Sequence, residues 1–245
     1  MAKFGLIGKN IDYSFSRAFF KKKFEKEGLD HTYVNFDIED ITIFPEIIQN
    51  NSNLKGLNVT IPYKQAIIPY LDKLSKKAKA IGAVNTIKVL PNGELHGYNT
   101  DYFGFKKSLE TKLEPKHNRA LILGTGGASK AIAFALKKLG IAYKYVSRNP
   151  KGEDDFSYND LTPNIIKEHL LIINCTPLGT HPNVEACPSI PYNALSNDHL
   201  LYDLIYNPSK TKFLKLGKQY GAQIINGERM LKLQAKKSWK IWHKS

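Results

Sequence analysis

The sequence predicts an α/β protein made of two units, and three observations carry that prediction. Apolar, strand-like runs alternate with amphipathic helical stretches along the chain. A glycine turn, Gly124-Thr125-Gly126-Gly127-Ala128-Ser129, stands between the buried run Ala120-Leu121-Ile122-Leu123 and a helical pattern over 130–139. Two unusually polar motifs, Asn58-Val59-Thr60-Ile61-Pro62-Tyr63-Lys64 and Gly97-Tyr98-Asn99-Thr100-Asp101, each close a strand-like run where a helix starts. Open α/β sheets display their chemistry at such ends.

The first unit begins with a strand over 4–8, an amphipathic helix over 17–27 and a second strand over 32–38. A helix over 43–49 leads to a short strand over 57–60. Two helical stretches lie within 64–70 and 75–81. Strands over 86–90 and 94–98 flank Pro91-Asn92-Gly93, a strong hairpin signal, and give the sheet an antiparallel edge. A helix over 101–113 carries the chain into the second unit. There the strand over 120–123, the glycine turn and the helix over 130–139 are followed by strands over 141–146, 170–174 and 200–205. That succession is a parallel, doubly wound sheet. The last helix, over 228–242, starts after a glycine hinge at Asn226-Gly227 and has no strand behind it. We therefore expect it to fold back, giving domains of 1–100 with 226–245, and of 101–225.

Bulk properties narrow the function. A chain of 245 residues, 42% apolar, suffices for two modest domains. No apolar run approaches the ~20 residues that span a bilayer, and the first residues read as a buried strand, so a cytoplasmic protein is expected. Cys175 and Cys187 form neither a disulfide frame nor a metal site, and no metal is expected. The net charge of +14 is spread over every segment without a nucleic-acid motif. It reads as a lysine-rich solvated surface whose field gathers a carboxylate substrate and a phosphorylated cofactor. The expected partner is a small molecule, with no specific nucleic acid and no membrane, the chain acting as a monomer or homodimer.

Glycines between a buried strand and a helix let a pyrophosphate approach the backbone, where helix N–H groups and dipole favour it. The second strand of that unit ends in Ser147-Arg148-Asn149, with Lys151 beyond and no carboxylate before Glu153. An arginine there suits a ribose 2′-phosphate, so NADP is favoured over NAD. Near the N-terminus, Ser14 and Ser16 in Asp12-Tyr13-Ser14-Phe15-Ser16 suit either a carboxylate or diol ligand or the cap of the following helix. Asn58, Thr60, Asn85 and Asn99 end apolar stretches where an unpaired amide would be costly, so they line a polar pocket or satisfy loop backbones. Lys64 and Asp101 are either a surface lysine and a helix N-cap or, at strand ends facing one crevice, a pair sharing a proton beside a bound alcohol. The latter, with the glycine turn, suggests hydride transfer between a hydroxyl-bearing substrate and a nicotinamide.

These motifs resemble, in order and over essentially the whole chain, those of the shikimate dehydrogenase family. Beyond the segments already quoted, the resemblance rests on Gly82-Ala83-Val84-Asn85-Thr86, Asn174-Cys175-Thr176-Pro177-Leu178-Gly179, Asp203-Leu204-Ile205-Tyr206-Asn207-Pro208, Gly227, Met230-Leu231 and Gln234-Ala235. It implies an N-terminal substrate domain with a mixed sheet, a Rossmann-like NADP domain, and an active site in the cleft between them. The implied reaction is the reversible NADPH-dependent reduction of 3-dehydroshikimate to shikimate in aromatic amino-acid biosynthesis. Lys64 and Asp101 fall on the catalytic pair. Ser14, Ser16, Asn58, Thr60, Asn85, Tyr206 and Gln234 fall on substrate positions. Gly124, Thr125, Gly126, Gly127, Ala128, Ser129, Ser147, Arg148, Asn149, Thr176 and Gly227 fall on the cofactor side. The stretch between Arg148 and Leu170 is short, which suggests a trimmed helix in the cofactor domain. The alternatives are an NAD-dependent quinate/shikimate dehydrogenase and a shikimate-sensing regulatory protein without turnover.

Overall fold

A computed structural model describes residues 1–11, 14–150, 152 and 155–244. Asp12, Tyr13, Lys151 and Glu153 of the sequence motifs lie outside them. The chain divides into two compact units, 1–100 with 234–245, and 101–233. Each is an α/β layer structure around its own six-stranded sheet.

The first unit runs β1 (Ala2–Gly8), α1 (Phe15–Glu27), β2 (His31–Asp37), α2 (Phe44–Gln49), β3 (Leu54–Val59), β4 (Lys73–Leu74), α3 (Lys76–Ile81), β5 (Thr86–Val89) and β6 (Leu95–Tyr98). The strand order is β2-β1-β3-β5-β6-β4. β1 pairs in parallel with both β2 and β3, whereas β5 is antiparallel to β3 and β6, so the sheet is mixed as expected. The α1 helix starts where the Ser14 hydroxyl accepts from the Arg17 N–H at 3.3 Å, and α3 starts where Ser75 accepts from the Ala78 N–H at 3.2 Å. The helical stretch expected within 64–70 is instead a run of turns ending in a 3₁₀ turn at Ile68–Tyr70. Pro69, which lacks an N–H, prevents an α-helix there.

Strand alternation sorts the core of this unit onto two faces. Ile7, Leu57, Val59, Tyr63, Ile67 and Ile87 pack with Phe44 of α2. Phe4 and Leu6 pack oppositely, with Phe20 and Phe24 of α1 and with Ala235 and Trp242 from the chain's last helix. Trp242 stacks on Phe4 with ring centroids 4.8 Å apart, and its indole N–H donates to the Ile87 carbonyl at 2.9 Å.

The second unit runs α4 (Asp101–Leu109), β7 (Arg119–Leu123), α5 (Gly127–Lys138), β8 (Ala142–Ser147), β9 (Phe156–Ser157), α6 (Pro163–Glu168), β10 (Leu171–Asn174), β11 (Leu200–Asp203), α7 (Lys212–Gln219), β12 (Gln223–Ile225) and α8 (Glu228–Trp242). All its strand pairs are parallel, in the order β12-β11-β10-β7-β8-β9. This is the doubly wound sheet the sequence predicts. Ala120, Ile122 and Ile173 face α4 and α5, while Leu121, Leu123 and Ile172 face α6 and α7. Helix α5 begins at Gly127, three residues before the expected start, because Gly127, Ala128 and Ser129 of the glycine turn themselves enter its first turn. Among the described residues the crossover from β8 to β10 holds the short β9, a 3₁₀ turn at Tyr158–Asp160 and the six-residue α6. Met230 of α8 packs with Phe105, Ile122 and Ile173, and the chain returns to the first unit within α8, at Gln234. Among the described residues no helix is long and apolar enough to cross a membrane.

Candidate functional site

In the first unit the polar motifs gather at one edge of the sheet. β1, β3 and β6 end there, and β5, running the other way, begins there. From β1 the chain goes first to β2 on one side and later to β3 on the other, so the ends of β1 and β3 flank a switch point, where ligands bind in open α/β sheets. Ser14 and Ser16 follow β1, Thr60 and Lys64 follow β3, Asn85 precedes β5, and Asn99 and Thr100 follow β6.

Buried amides and hydroxyls join into one network at that edge. The Tyr33 hydroxyl donates to Asn58 Oδ1 at 2.9 Å, and Asn58 Nδ2 lies 3.2 Å from the Asn85 carbonyl, 3.3 Å from Thr86 Oγ1 and 3.0 Å from Ser238 Oγ. Asn85 Oδ1 accepts from the Thr100 N–H at 2.7 Å and the Thr86 hydroxyl at 3.1 Å. Its Nδ2 donates to Thr100 Oγ1 at 3.0 Å and to Gln234 Oε1 at 3.1 Å. The Ser16 hydroxyl bonds to that of Tyr33, whose burial pushes its pKa far up and keeps it neutral. Low local dielectric strengthens such bonds and makes any unpaired member costly, so the network is rigid. Asn58, Asn85 and Gln234 are thus brought together as substrate candidates, while Ser14 caps α1.

Lys64 is half-buried, and its carbonyl accepts from the Val84 N–H at 2.7 Å, tying its turn to the segment before β5. Thr60 is fixed by its N–H to the Ile7 carbonyl at 2.8 Å. Asp101, 2% exposed, opens α4, where the helix dipole favours a carboxylate. Tyr206 is half-buried in the segment after β11. Tyr33, Thr86, Thr100 and Ser238 belong to the network but were not singled out from the sequence. Thr86 and Thr100 adjoin Asn85 and Asn99 in their motifs, and Ser238 lies four residues after Gln234, on the same helix face.

In the second unit β7 and β10 are neighbours, although the chain runs from β7 to β8 on the other side, so the switch point lies between them. Gly124 follows β7 with φ +98°, a conformation that favours glycine, and a Cβ there would lie 3.0 Å from the methyl group of Thr176 in the loop after β10. Gly126 is the N-cap of α5 and provides no side chain to its first turn, and the space above its Cα is open. The Ser129 hydroxyl turns back to the Gly126 carbonyl at 2.6 Å. Ser147 is buried at the end of β8, and Arg148 and Asn149 are exposed beyond it. Among the described residues the buried Ser147 and Tyr158 hydroxyls have no hydrogen-bond partner. Open backbone donors at a helix N-terminus, an exposed guanidinium and partnerless hydroxyls fit an adenine dinucleotide carrying a 2′-phosphate. Gly227 passes so close to the Leu204 carbonyl that any Cβ would collide with it.

The switch point, the positive-φ glycine and the uncapped helix start make the second unit Rossmann-like, and the protein a two-unit α/β protein of the dinucleotide-fold class. Residues 6–87 match the shikimate dehydrogenase substrate binding domain. The chain is 40% identical, over an alignment of 253 residues, to the shikimate dehydrogenase (NADP(+)) of Methanococcus maripaludis, covering 97% of this chain and 90% of that protein. It is 41% identical to the protein of the same name from Clostridium botulinum, covering 97% and 95%. The crystal structure of shikimate 5-dehydrogenase from Thermus thermophilus, in complex with NADP(H) and shikimate, superimposes with a TM-score of 0.88 at 30% identity, covering 99% of this chain and 94% of that one. The chain belongs to the shikimate dehydrogenase family.

Proposed function

We propose that the protein is an NADP-dependent shikimate dehydrogenase, which reversibly reduces the C3 carbonyl of 3-dehydroshikimate to the alcohol of shikimate. The observation that carries this reading is that one chain of this family holds both Lys64, beside the first sheet's switch point, and the glycine turn at the second sheet's, with Arg148 beyond the neighbouring β8. We assign the unit of 1–100 with 234–245 to the substrate and the unit of 101–233, which holds Gly227, to the cofactor. A cytoplasmic location fits the two free cysteines, Cys175 and Cys187.

NADPH, when bound, supplies the hydride that reaches C3. Lys64 supplies the proton to the oxygen that becomes the hydroxyl, and takes one back in the oxidation direction; lysine side chains carry their proton at neutral pH. Asp101 balances the ammonium charge and accepts from a neighbouring substrate hydroxyl. Ser14, Ser16, Asn58, Thr60, Asn85, Tyr206 and Gln234 hold the carboxylate, hydroxyls and ring. The network behind Asn58 and Asn85 fixes their amides before substrate arrives, so little ordering cost is left to binding. Gly124 to Ser129, together with Thr176 and Gly227, present backbone and hydroxyl groups to the cofactor, and Ser147, Arg148 and Asn149 take its 2′-phosphate end.

The test is Lys64→Ala with steady-state kinetics. Removing a general acid lowers kcat by about 10²–10⁴-fold, with KM for shikimate changed far less. A variant with near-normal kcat would overturn the assignment of Lys64.

A further inference from the structure

We infer that Asp203 is a positioning residue, whose buried carboxylate clamps the loops that follow β10 and β11 and so places Thr176 and Tyr206. The inference rests on the proposed function for what those two residues do, but the clamp itself stands on geometry within the second unit.

Asp203 and Asn174 are register partners at the ends of β11 and β10, and both are fully buried. Asp203 Oδ1 accepts from Asn174 Nδ2 at 3.1 Å and from the Ile205 N–H at 3.0 Å. Its Oδ2 accepts from the Thr211 hydroxyl at 2.6 Å, and Thr211 caps α7 by accepting from the Leu214 N–H. The carboxylate thus meets three donors, none of them charged. The Asn174 amide and the Ile205 N–H demand an acceptor at Oδ1, and at Oδ2 the carboxylate accepts from the Thr211 hydroxyl. An amide N–H₂ at Oδ2 would make that hydroxyl reverse and accept, so its proton would lose the carboxylate and the charge-assisted bonds would be lost.

One consequence reaches Thr176. Because Asn174 must turn its Nδ2 toward the carboxylate, its Oδ1 faces the next loop, where it accepts from the Thr176 N–H at 3.0 Å and the Thr176 hydroxyl at 2.6 Å. The threonine is held with its methyl group toward Gly124. On the other side, Ile205, fixed by its N–H, accepts from the Gly227 N–H at 3.0 Å, so the segment leading to Tyr206 is tied at both faces. A single buried carboxylate therefore sets the loops that carry Thr176, Tyr206 and Gly227.

Burial raises the Asp203 pKa to about 6. The titratable groups whose charge reaches it are Cys175, Tyr192 and Tyr202, all pushed upward by burial and so neutral in the same range. Protonation would turn one acceptor of the clamp into a donor, and the loops would loosen below about pH 6.

The experiment uses the full chain and the Asp203→Asn, Thr211→Val and Thr211→Ser variants. Hydrogen exchange over 175–180 and 204–208 is measured without cofactor, and NADP⁺ affinity by calorimetric titration. We expect Asp203→Asn to speed exchange in both loops and weaken NADP⁺ binding by about tenfold or more, the loss of one charge-assisted hydrogen bond. Thr211→Val should act in the same direction and Thr211→Ser should restore wild-type behaviour. Wild-type affinity should weaken between about pH 7 and about pH 5, and more steeply than in Asp203→Asn, which keeps only the dependence that comes from the cofactor's own 2′-phosphate, whose second pKa is also about 6. Wild-type exchange and affinity in Asp203→Asn would overturn the clamp; should that variant fail to fold, equal behaviour of Thr211→Val and Thr211→Ser would do so. A wild-type protein inert toward shikimate and NADP⁺ would overturn the function instead, and the exchange data would still decide the clamp.

Discussion

Asn85 commits both ends of its amide inside the protein, to Thr100, Thr86 and Gln234. Asn85→Ala leaves the buried Thr100 N–H without that acceptor, at an expected cost of about 1–3 kcal/mol. Urea denaturation reads this directly, and an unchanged midpoint would mean that the network is not rigid. Arg148 stands exposed at the end of β8. Arg148→Gln should raise KM for NADP⁺ by about 10–100-fold, the worth of one lost charge-assisted contact, and leave KM for NAD⁺ unchanged; equal effects on both would deny it the 2′-phosphate. The polar strand ends were legible because an asparagine closing an apolar run must find partners. The partners themselves were less so: Ser238 sits on a lysine-rich helix between Lys237 and Trp239, and Asp203 ends an apolar strand without announcing the three donors it meets.

Elements with a sustained pattern were read correctly, including β7 with its glycine turn and the β5–β6 hairpin. Those that escaped lack one: β4 and β9 have two residues each and β12 three, too short to show a period of two. The helices α6 and α7 were not placed, although Thr162 and Thr211 cap them and Pro163 opens the first. The segment between β12 and α8 depends on a close approach, since the Gly227 Cα packs on the Leu204 carbonyl. Gly227→Ala should therefore destabilise the protein by about 1–3 kcal/mol through overpacking, seen as a lower Tm, and should weaken NADP⁺ binding. An unshifted Tm would show that the backbone gives way freely at this point.

For the whole molecule, the division into one mixed and one parallel sheet followed from the alternation of elements, whereas the order of the strands was not legible, and the return of the chain within α8 depends on which side of the helix meets which core. Met230 packs with the second unit's core, and Ala235 and Trp242 with the first's. Stability against acid is also a property of the whole fold. His117 and His199 are buried in the second unit, each with Nδ1 accepting a backbone N–H, from Glu114 and Ser196, both at 3.0 Å. Burial lowers both pKa values below the ordinary histidine value. The unfolded chain then binds more protons than the folded one, so their contribution is complete above about pH 6.5 and is lost as pH falls toward the lowered values. The stability advantage of wild type over His199→Asn should shrink on acidification from about pH 7 to about pH 5. An advantage constant with pH would mean that His199 titrates alike in both states.

The measurement that bears most directly on the central claim is absorbance at the reduced-nicotinamide band, with purified protein, shikimate or quinate, and NADP⁺ or NAD⁺ in all four pairings. Rapid reduction with shikimate and NADP⁺, and little with the other three, is the predicted result. Turnover favouring quinate or NAD⁺, or none in any pairing while shikimate still binds, would contradict it.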